Sequence, residues 1–539
     1  MASSRSSFTT ARSPRSSAPR RPASPVNGTA PNNFPLSPVG QPEAQTHSTH
    51  QQHAVERVSH QSSGVIPTNP KHTMRTLPAA VRTALATTIT AVGLTATLPA
   101  QTASTNDLDA LREQIRLLDQ KLRILERNQE LRQETAAADA KKQPKLNVGD
   151  GRVEVVSADG ANSLRLRGLV QGDARLYLDD ANAAQDGFVL RRARLIFEGK
   201  FSDIFQYTIQ PEFGGTVQIL DANINAAFKP GFQVRVGRFK TPIGLEQLQS
   251  DPVAFFNERS VVTNLTPNRD VGIQVHGDVL TNRLNYAVGV FNGVLDGGNS
   301  PTTNLNNEGD FTVAARLFAT PWANDKESKL KGLGFGIAAG TGNYKAGVPL
   351  NPYRTDGQQN FFAYRSAVGS TTVADGTATT ISPQAYFYSG PLGILAEYVS
   401  SSAELTNGAN SRKLTNTGFN LSVGYVLTGE ESSYKGVTPN TNFSLNKGTW
   451  GAFEVVTRVA QVDIDDDAFA GGGTSLAAAG TNATEVTTYG VGLNWYLSKA
   501  IRANFDIFSN KFDFQGARPA TGALSDNELA FISRIQVSF

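Results

Sequence analysis

The feature that most narrows what this chain can fold into is an alternation of period two, running with interruptions from about residue 147 to Phe539. It is clearest at the end. Leu529, Phe531, Ile535, Val537 and Phe539 fall on one face of an extended segment, and only Ser533 interrupts them. Ala530, Ile532, Arg534, Gln536 and Ser538 fall on the other face, which is mostly polar. Successive side chains of a strand point to opposite sides, so such a segment presents one apolar and one polar surface. About ten residues of this pattern fit a tilted strand crossing a bilayer, whereas strands of soluble sheets are usually shorter. Similar runs occur at 164–178, 188–200, 232–239, 284–291, 385–388, 419–427, 450–462, 486–497 and 501–508. Clusters of Gly, Asn, Asp and Ser separate them and read as turns.

In lipid every backbone donor and acceptor must be satisfied within the protein, and strands achieve this only by closing into a barrel. At roughly 24 residues per strand and connection, the region 147–539 holds about sixteen strands, and a barrel of that size encloses a water-filled channel. The expected fold is therefore all-β, a transmembrane antiparallel β-barrel in contact with lipid. The long polar stretches 296–309, 343–380 and 464–485 read as external loops. Trp322, Tyr386, Tyr388, Trp450, Trp495 and Tyr496 sit at strand ends and read as interfacial girdles. No run of eighteen apolar residues follows Met74, so no transmembrane helix is expected.

The N-terminal third is different. Residues 1–73 are rich in Ser, Pro, Thr, Asn and Gln and read as a disordered extension. His47, His50 and His53 are spaced by three, but no acidic or Cys partner accompanies them, so they read as part of a polar tail. Residues 74–103 resemble a secretory signal peptide: a short basic stretch, a mildly apolar run from Thr83 to Leu98, then small residues near Ala100 and Ala103. A signal belongs at an N-terminus, so translation from Met74 is the simplest account, and 1–73 is then a start-site artefact. A long leader is the alternative. Next come three heptads, with Leu108, Ile115 and Leu122 at a and Leu111, Leu118 and Leu125 at d. They predict a coiled coil over 104–140, or else one amphipathic helix lying on a larger body. The Ala- and Lys-rich stretch 135–145 reads as the linker to the barrel.

Several function classes fall away. A net charge of +3 over 539 residues does not suggest nucleic-acid binding. The chain has no cysteine, which removes disulfides, thiol nucleophiles and Cys-based zinc sites. His276 lies next to Gly277-Asp278 on an alternating segment, and no nucleophile and orienting acid can be assembled around this lone histidine, so no enzyme is expected, and no cofactor. Asp463, Asp465, Asp466 and Asp467 have the composition of a calcium loop but lie next to Gly-rich sequence that reads as a solvated loop. No metal site is expected.

The arginines carry the functional signal. Arg192 and Arg194 share one face of their segment, opposite Ala193, Leu195 and Phe197. Arg165 and Arg167 repeat the pattern opposite Leu164, Leu166 and Gly168. A charge on the lipid side costs about 2–4 kcal/mol at mid-membrane, so these side chains are expected in the lumen. There they either form an anion path or balance lumenal acids such as Glu198.

Five segments then resemble one family. FVLRRARLIFEG at 188–199 is similar to the first-hairpin signature of the phosphate-selective porin O and P family. VGRFKTPIGLE at 236–246, which carries Arg238 and Lys240, resembles the strand leading into that family's constriction loop, and NER at 257–259 resembles part of the loop itself. LTGE at 427–430 and GLNWY at 492–496 resemble later strands. The resemblance implies a sixteen-stranded trimeric barrel in contact with the lipid of a Gram-negative outer membrane, with its third loop folded into the pore. It also implies passage of inorganic phosphate or other small anions, with Arg259 holding the anion at the constriction. A loop salt bridge from Arg259 to Glu258 or Asp251 is the competing reading. The pore-lining set expected is Arg259, Arg192, Arg194, Lys240, Arg165, Arg167 and Arg238. One departure matters: phosphate-selective members carry a lysine directly after Gly-Leu-Glu, and this chain has Gln247. A general diffusion porin without phosphate selectivity therefore stays open.

Overall fold

The computed structural model describes residues 105–149, 152–178, 185–300, 310–345, 350–516 and 525–539. The expected polar tail at 1–73, the signal segment at 74–103 and most of the stretch 296–309 lie outside the described residues. Sixteen antiparallel strands make the wall: β1 (Ser163–Tyr177), β2 (Gly187–Phe201), β3 (Phe205–Glu212), β4 (Gln218–Lys229), β5 (Phe232–Lys240), β6 (Arg269–Val279), β7 (Leu284–Phe291), β8 (Thr312–Ala319), β9 (Leu333–Tyr344), β10 (Val373–Ser389), β11 (Leu392–Asn407), β12 (Asn410–Val426), β13 (Ala452–Asp463), β14 (Ala483–Tyr496), β15 (Ile501–Phe514) and β16 (Asn527–Ser538). Each pairs with its neighbours in sequence. β16 pairs back onto β1 from Ala530↔Tyr177 to Ser538↔Leu169, which closes the cylinder. Phe539 ends the seam. Its ring lies over Gly168, where a Cβ would come within 2.2 Å of the ring.

The alternation read from the sequence sorts the side chains as expected. In β16, Glu528, Ala530, Ile532, Arg534 and Gln536 are buried, whereas Ile535, Val537 and Phe539 are exposed on the outer wall. Polarity is inverted relative to a soluble sheet because the outer wall faces hydrocarbon. The aromatic girdle is only partly as expected. Trp450 and Trp495 sit outside, with Phe453 stacked on Trp495. Tyr388 and Tyr496 are instead buried, and Tyr386 stacks on Tyr434. Tyr388 packs near Phe255, and the Tyr496 hydroxyl donates to Glu454 at 2.7 Å. Strand-end position does not tell which face a tyrosine takes.

The hydrophobic core lies in the lumen. The loop 241–268, between β5 and β6, folds inward rather than over the rim. Leu245, Phe255 and Phe256 pack against Leu395, Val456, Phe508 and Ile532 of the far wall. Val261, Val262 and Leu265 pack against Tyr353, Phe361 and Phe362 of a second inward segment, 350–372. Burying one such side chain contributes about 1.5–3 kcal/mol. Segment 427–451 enters from the opposite end. The Tyr434 hydroxyl donates to the Leu245 carbonyl at 2.6 Å, and Gln249 Nε2 donates to the Tyr434 carbonyl at 2.9 Å. The LTGE motif therefore opens this segment instead of continuing β12, and Gly429, with φ of 91°, turns the chain there.

Helix α1 spans Thr105–Lys142, so the stretch read as a linker from 135 is mostly helical. Ala and Lys are strong helix formers, and Lys141 and Lys142 suit the negative end of the helix dipole. Leu108, Leu111, Ile115, Leu118, Leu122 and Leu125 are all exposed. A hairpin of Lys145–Gly149 and Arg152–Val156 follows and pairs with the first residues of β1, so the barrel proper begins at Ser163 rather than near 147.

Candidate functional site: the lumenal constriction

Two cavities meet where the loop 241–268 approaches the wall. The outer, toward the long loops, has a volume of about 290 Å³, and the inner, toward the short turns and Phe539, about 860 Å³. Arg194, Asp251 and Arg269 border both, so they form the neck.

The wall reaches the loop through arginines. Arg534 of β16 donates to the Asn257 carbonyl and, through Nη2, to Glu258 Oε1 at 2.7 Å. It also grips Asp173 of β1 across the seam at 2.6 Å. Arg458 of β13 is fully buried and pairs with Glu246 and with Asp356, each at 2.5 Å. Arg502 of β15 donates to the carbonyls of Ala254 and Phe255 at 2.8 and 3.0 Å. The loop crosses the pore as a strut with ionic anchors on several strands.

Four of the seven residues expected from sequence gather at the neck. Arg194 donates from Nε to Glu212 at 2.5 Å and from Nη1 to Asp251 Oδ2. Arg192 lies 3.4 Å from Asp251 Oδ1 and donates to Gln171 at 2.7 Å. Arg259 donates to Asp251 Oδ1 at 2.6 Å, and its other nitrogens go to the carbonyls of Glu246 and Gln249. Lys240 donates to the carbonyls of Gln247 and Gln249 at 2.7 and 2.9 Å. The salt bridge from Arg259 to Asp251, the competing reading of this arginine, is thus present. The other three lie elsewhere. Arg165 and Arg167 pair with Glu198 at 3.2 and 3.4 Å, and Arg167 borders the inner cavity. Arg238 is buried, with donors on the carbonyls of Leu220 and Ser300.

Alternation misplaced one residue. It puts Arg191 on the lipid face beside Ala193. A bulge in the β1–β2 ladder pairs Gln171 with Arg192 and Gly172 with Leu190, leaving Arg191 unpaired. Its side chain turns inward to grip Glu258 at 2.7 and 3.0 Å. No periodicity argument could find it, since a bulge is an exception to the period. Arg269, on Asp221 at 3.1 Å, was also missed, as was Arg235, whose guanidinium lies 5.4 Å from the Phe239 ring centre.

The loop carboxyls are held ionised. Burial opposes the charge on Asp251, but the guanidiniums of Arg192, Arg259 and Arg194 outweigh it and hold the group well below the usual carboxylate range. Burial likewise opposes the charge on Glu258, and Arg191, Arg192 and Arg534 overcome it. His276 Nε2 lies 2.9 Å from Asn225 Oδ1. In the 463–467 stretch, Asp465 accepts the Asp467 amide and Asp467 pairs with Arg412 at 3.1 Å.

The model of one family, phosphate-selective porin O and P, matches residues 164–539, which is the barrel and its seam. The chain belongs to that family. It is therefore an outer-membrane porin. Solved structures with a similar path include OmpT of Vibrio cholerae, at 10% identity over 70% of this chain and 100% of that one, with a TM-score of 0.44. The outer membrane channel DcaP of Acinetobacter baumannii is 12% identical over 70% and 98%, with a TM-score of 0.44. An anion-selective porin from Comamonas acidovorans is 11% identical over 70% and 100%, with a TM-score of 0.43. No curated protein matches the chain. Family membership and the closed sixteen-strand wall together make the lumen of the barrel the channel of this porin.

Proposed function

We propose that this porin conducts small anions, with phosphate and related oxyanions as its leading substrates. The charge balance of the two cavities is the supporting observation. Six guanidiniums, including Arg354, border the outer cavity against the three carboxylates Glu212, Asp251 and Glu258. Eight cationic side chains border the inner one against Glu198, Asp221 and Asp251. A low-dielectric channel lined by one sign of charge concentrates ions of the other sign. The family's description as phosphate-selective supports the oxyanion. Reading the pore as a general diffusion channel draws on a different observation: Asp251 and Glu258 already satisfy the nearest arginines, and Gln247 stands in place of a lysine. Planar-bilayer reversal potentials, with phosphate titrated against the chloride current, test the proposal. Anion preference with phosphate block supports it, and equal permeability to cations and anions sinks it.

The assembly proposed is a homotrimer, with α1 forming a coiled coil through its exposed Leu and Ile stripe. Leu at both a and d does not itself dictate three strands, so barrel contacts are expected to set the number.

A further inference from the structure

The loop's own carboxylate stands where the two cavities meet. Asp251 borders both cavities, whereas Glu258 and Arg259 border only the outer one. Asp251 Oδ1 is 2.6 Å from Arg259 Nη1 and 3.4 Å from Arg192 Nη2, while Oδ2 accepts from Arg194 Nη1. The side chain is only 7% exposed, so these guanidiniums are shared little with bulk water. Three guanidiniums converging on two oxygens is the arrangement a planar or tetrahedral oxyanion needs. Glu258 is placed differently: Arg191 and Arg534 of the wall hold it at 2.7 Å, Arg192 lies 3.7 Å away, and it borders only the outer cavity, as an anchor.

We propose that Asp251 is a tethered counter-anion, which occupies the oxyanion site of the neck and is displaced by each anion that passes. The proposal rests on the anion-channel reading above. Its physical basis is continuity of pairing. Leaving buried guanidiniums unpaired is costly, and exchange of one anion for another never does so. The tether also fixes the affinity. An entering anion competes with a carboxylate held at high effective concentration, so it binds weakly enough to leave. An anion with two or more oxygens can replace both contacts at once, which a single-centre halide cannot. The site therefore ranks oxyanions, including small carboxylates, above chloride.

Asp251→Asn and Asp251→Ala in the full chain test this in planar bilayers. Asp251→Asn is expected to tighten phosphate block of the chloride current about tenfold, equivalent to about 1.4 kcal/mol. In Asp251→Ala, formate or acetate is expected to compete with phosphate at concentrations without effect on wild type, because a free carboxylate then fills the vacated position. Phosphate block unchanged or weakened in a folded Asp251→Asn pore overturns the proposal. Folding is read from heat-modifiable gel mobility. If Asp251→Asn never reaches the folded form, Asp251 is an anchor like Glu258 and the proposal falls. A wild type without anion preference refutes the anion-channel reading itself. An anion-selective wild type with an unresponsive Asp251→Asn variant refutes the tethered counter-anion alone.

Discussion

Arg259 spends its three guanidinium nitrogens on the loop it belongs to, one on Asp251 and two on backbone carbonyls. Its removal therefore acts on the anion in two ways: a positive charge is lost beside the neck, and the negative charge of Asp251 is less compensated. Arg259→Ala is expected to weaken phosphate block roughly 5- to 30-fold, the worth of about 1–2 kcal/mol for one charge-assisted contact. Lys413→Ala, at an exposed position of β12, serves as the control and should leave the block unchanged. Gln247 borders the outer cavity, so Gln247→Lys adds a cation there and should tighten the block. If neither Arg259→Ala nor Gln247→Lys moves the block constant or the anion/cation permeability ratio, the neck has been wrongly assigned.

At the scale of elements, the loop 241–268 is a strut whose ends are fixed by strands and whose middle is fixed by buried ion pairs. Removing one partner of such a pair strands the other charge in the interior, at a cost of about 3–5 kcal/mol. Arg534→Ala leaves both Asp173 and Glu258 short of a cation and should lower the urea midpoint of the barrel. It should also raise single-channel conductance as the loop swings free, and an unchanged conductance would mean that the remaining anchors suffice. The pH response follows from the loop acids. Asp251 and Glu258 have folded values below their unfolded ones, so their contribution is fully present above the ordinary carboxylate pKa of about 4 and is lost as pH falls below it. Conductance is expected to hold from pH 7 to pH 5 and to change only in stronger acid. A step between 7 and 5 would point instead to Asp296 and Asp356, which burial pushes up to about 6.

At the scale of the whole molecule, the barrel closes on itself without help from α1. Among the described residues the ion pairs of the helix lie within its own surface, such as Arg123 to Asp119 at 3.1 Å, and its Leu and Ile stripe is exposed. Deleting 104–142 should therefore leave heat-modifiable barrel mobility intact. Cross-linking of unheated detergent extracts is expected to yield three subunits for the full chain. A monomer at every concentration would exclude the trimer. Loss of the folded band in the deletion variant would show that the helix supports folding.

Sequence alone determined the wall. Alternation in 188–200 or 529–539 specifies both that a strand forms and which face meets lipid, because the hydrocarbon penalises any other orientation of Arg192 or Arg534. It also located the inward loop through NER and the neck arginines through their shared face. It could not say what those arginines touch. Arg191 needed a bulge, Tyr388 and Tyr496 needed to know what filled the lumen beside them, and Arg165 and Arg167 followed the right face to a different depth. Asp251 was visible only as a possible partner of Arg259. Its place between two cavities depends on strands nearly sixty residues upstream and a loop that crosses the pore, and period-two patterning carries no information about distances of that kind. The face of each side chain is a local property of the strand, whereas the pairing of charges inside the lumen is decided only when the barrel has closed and the loop has docked.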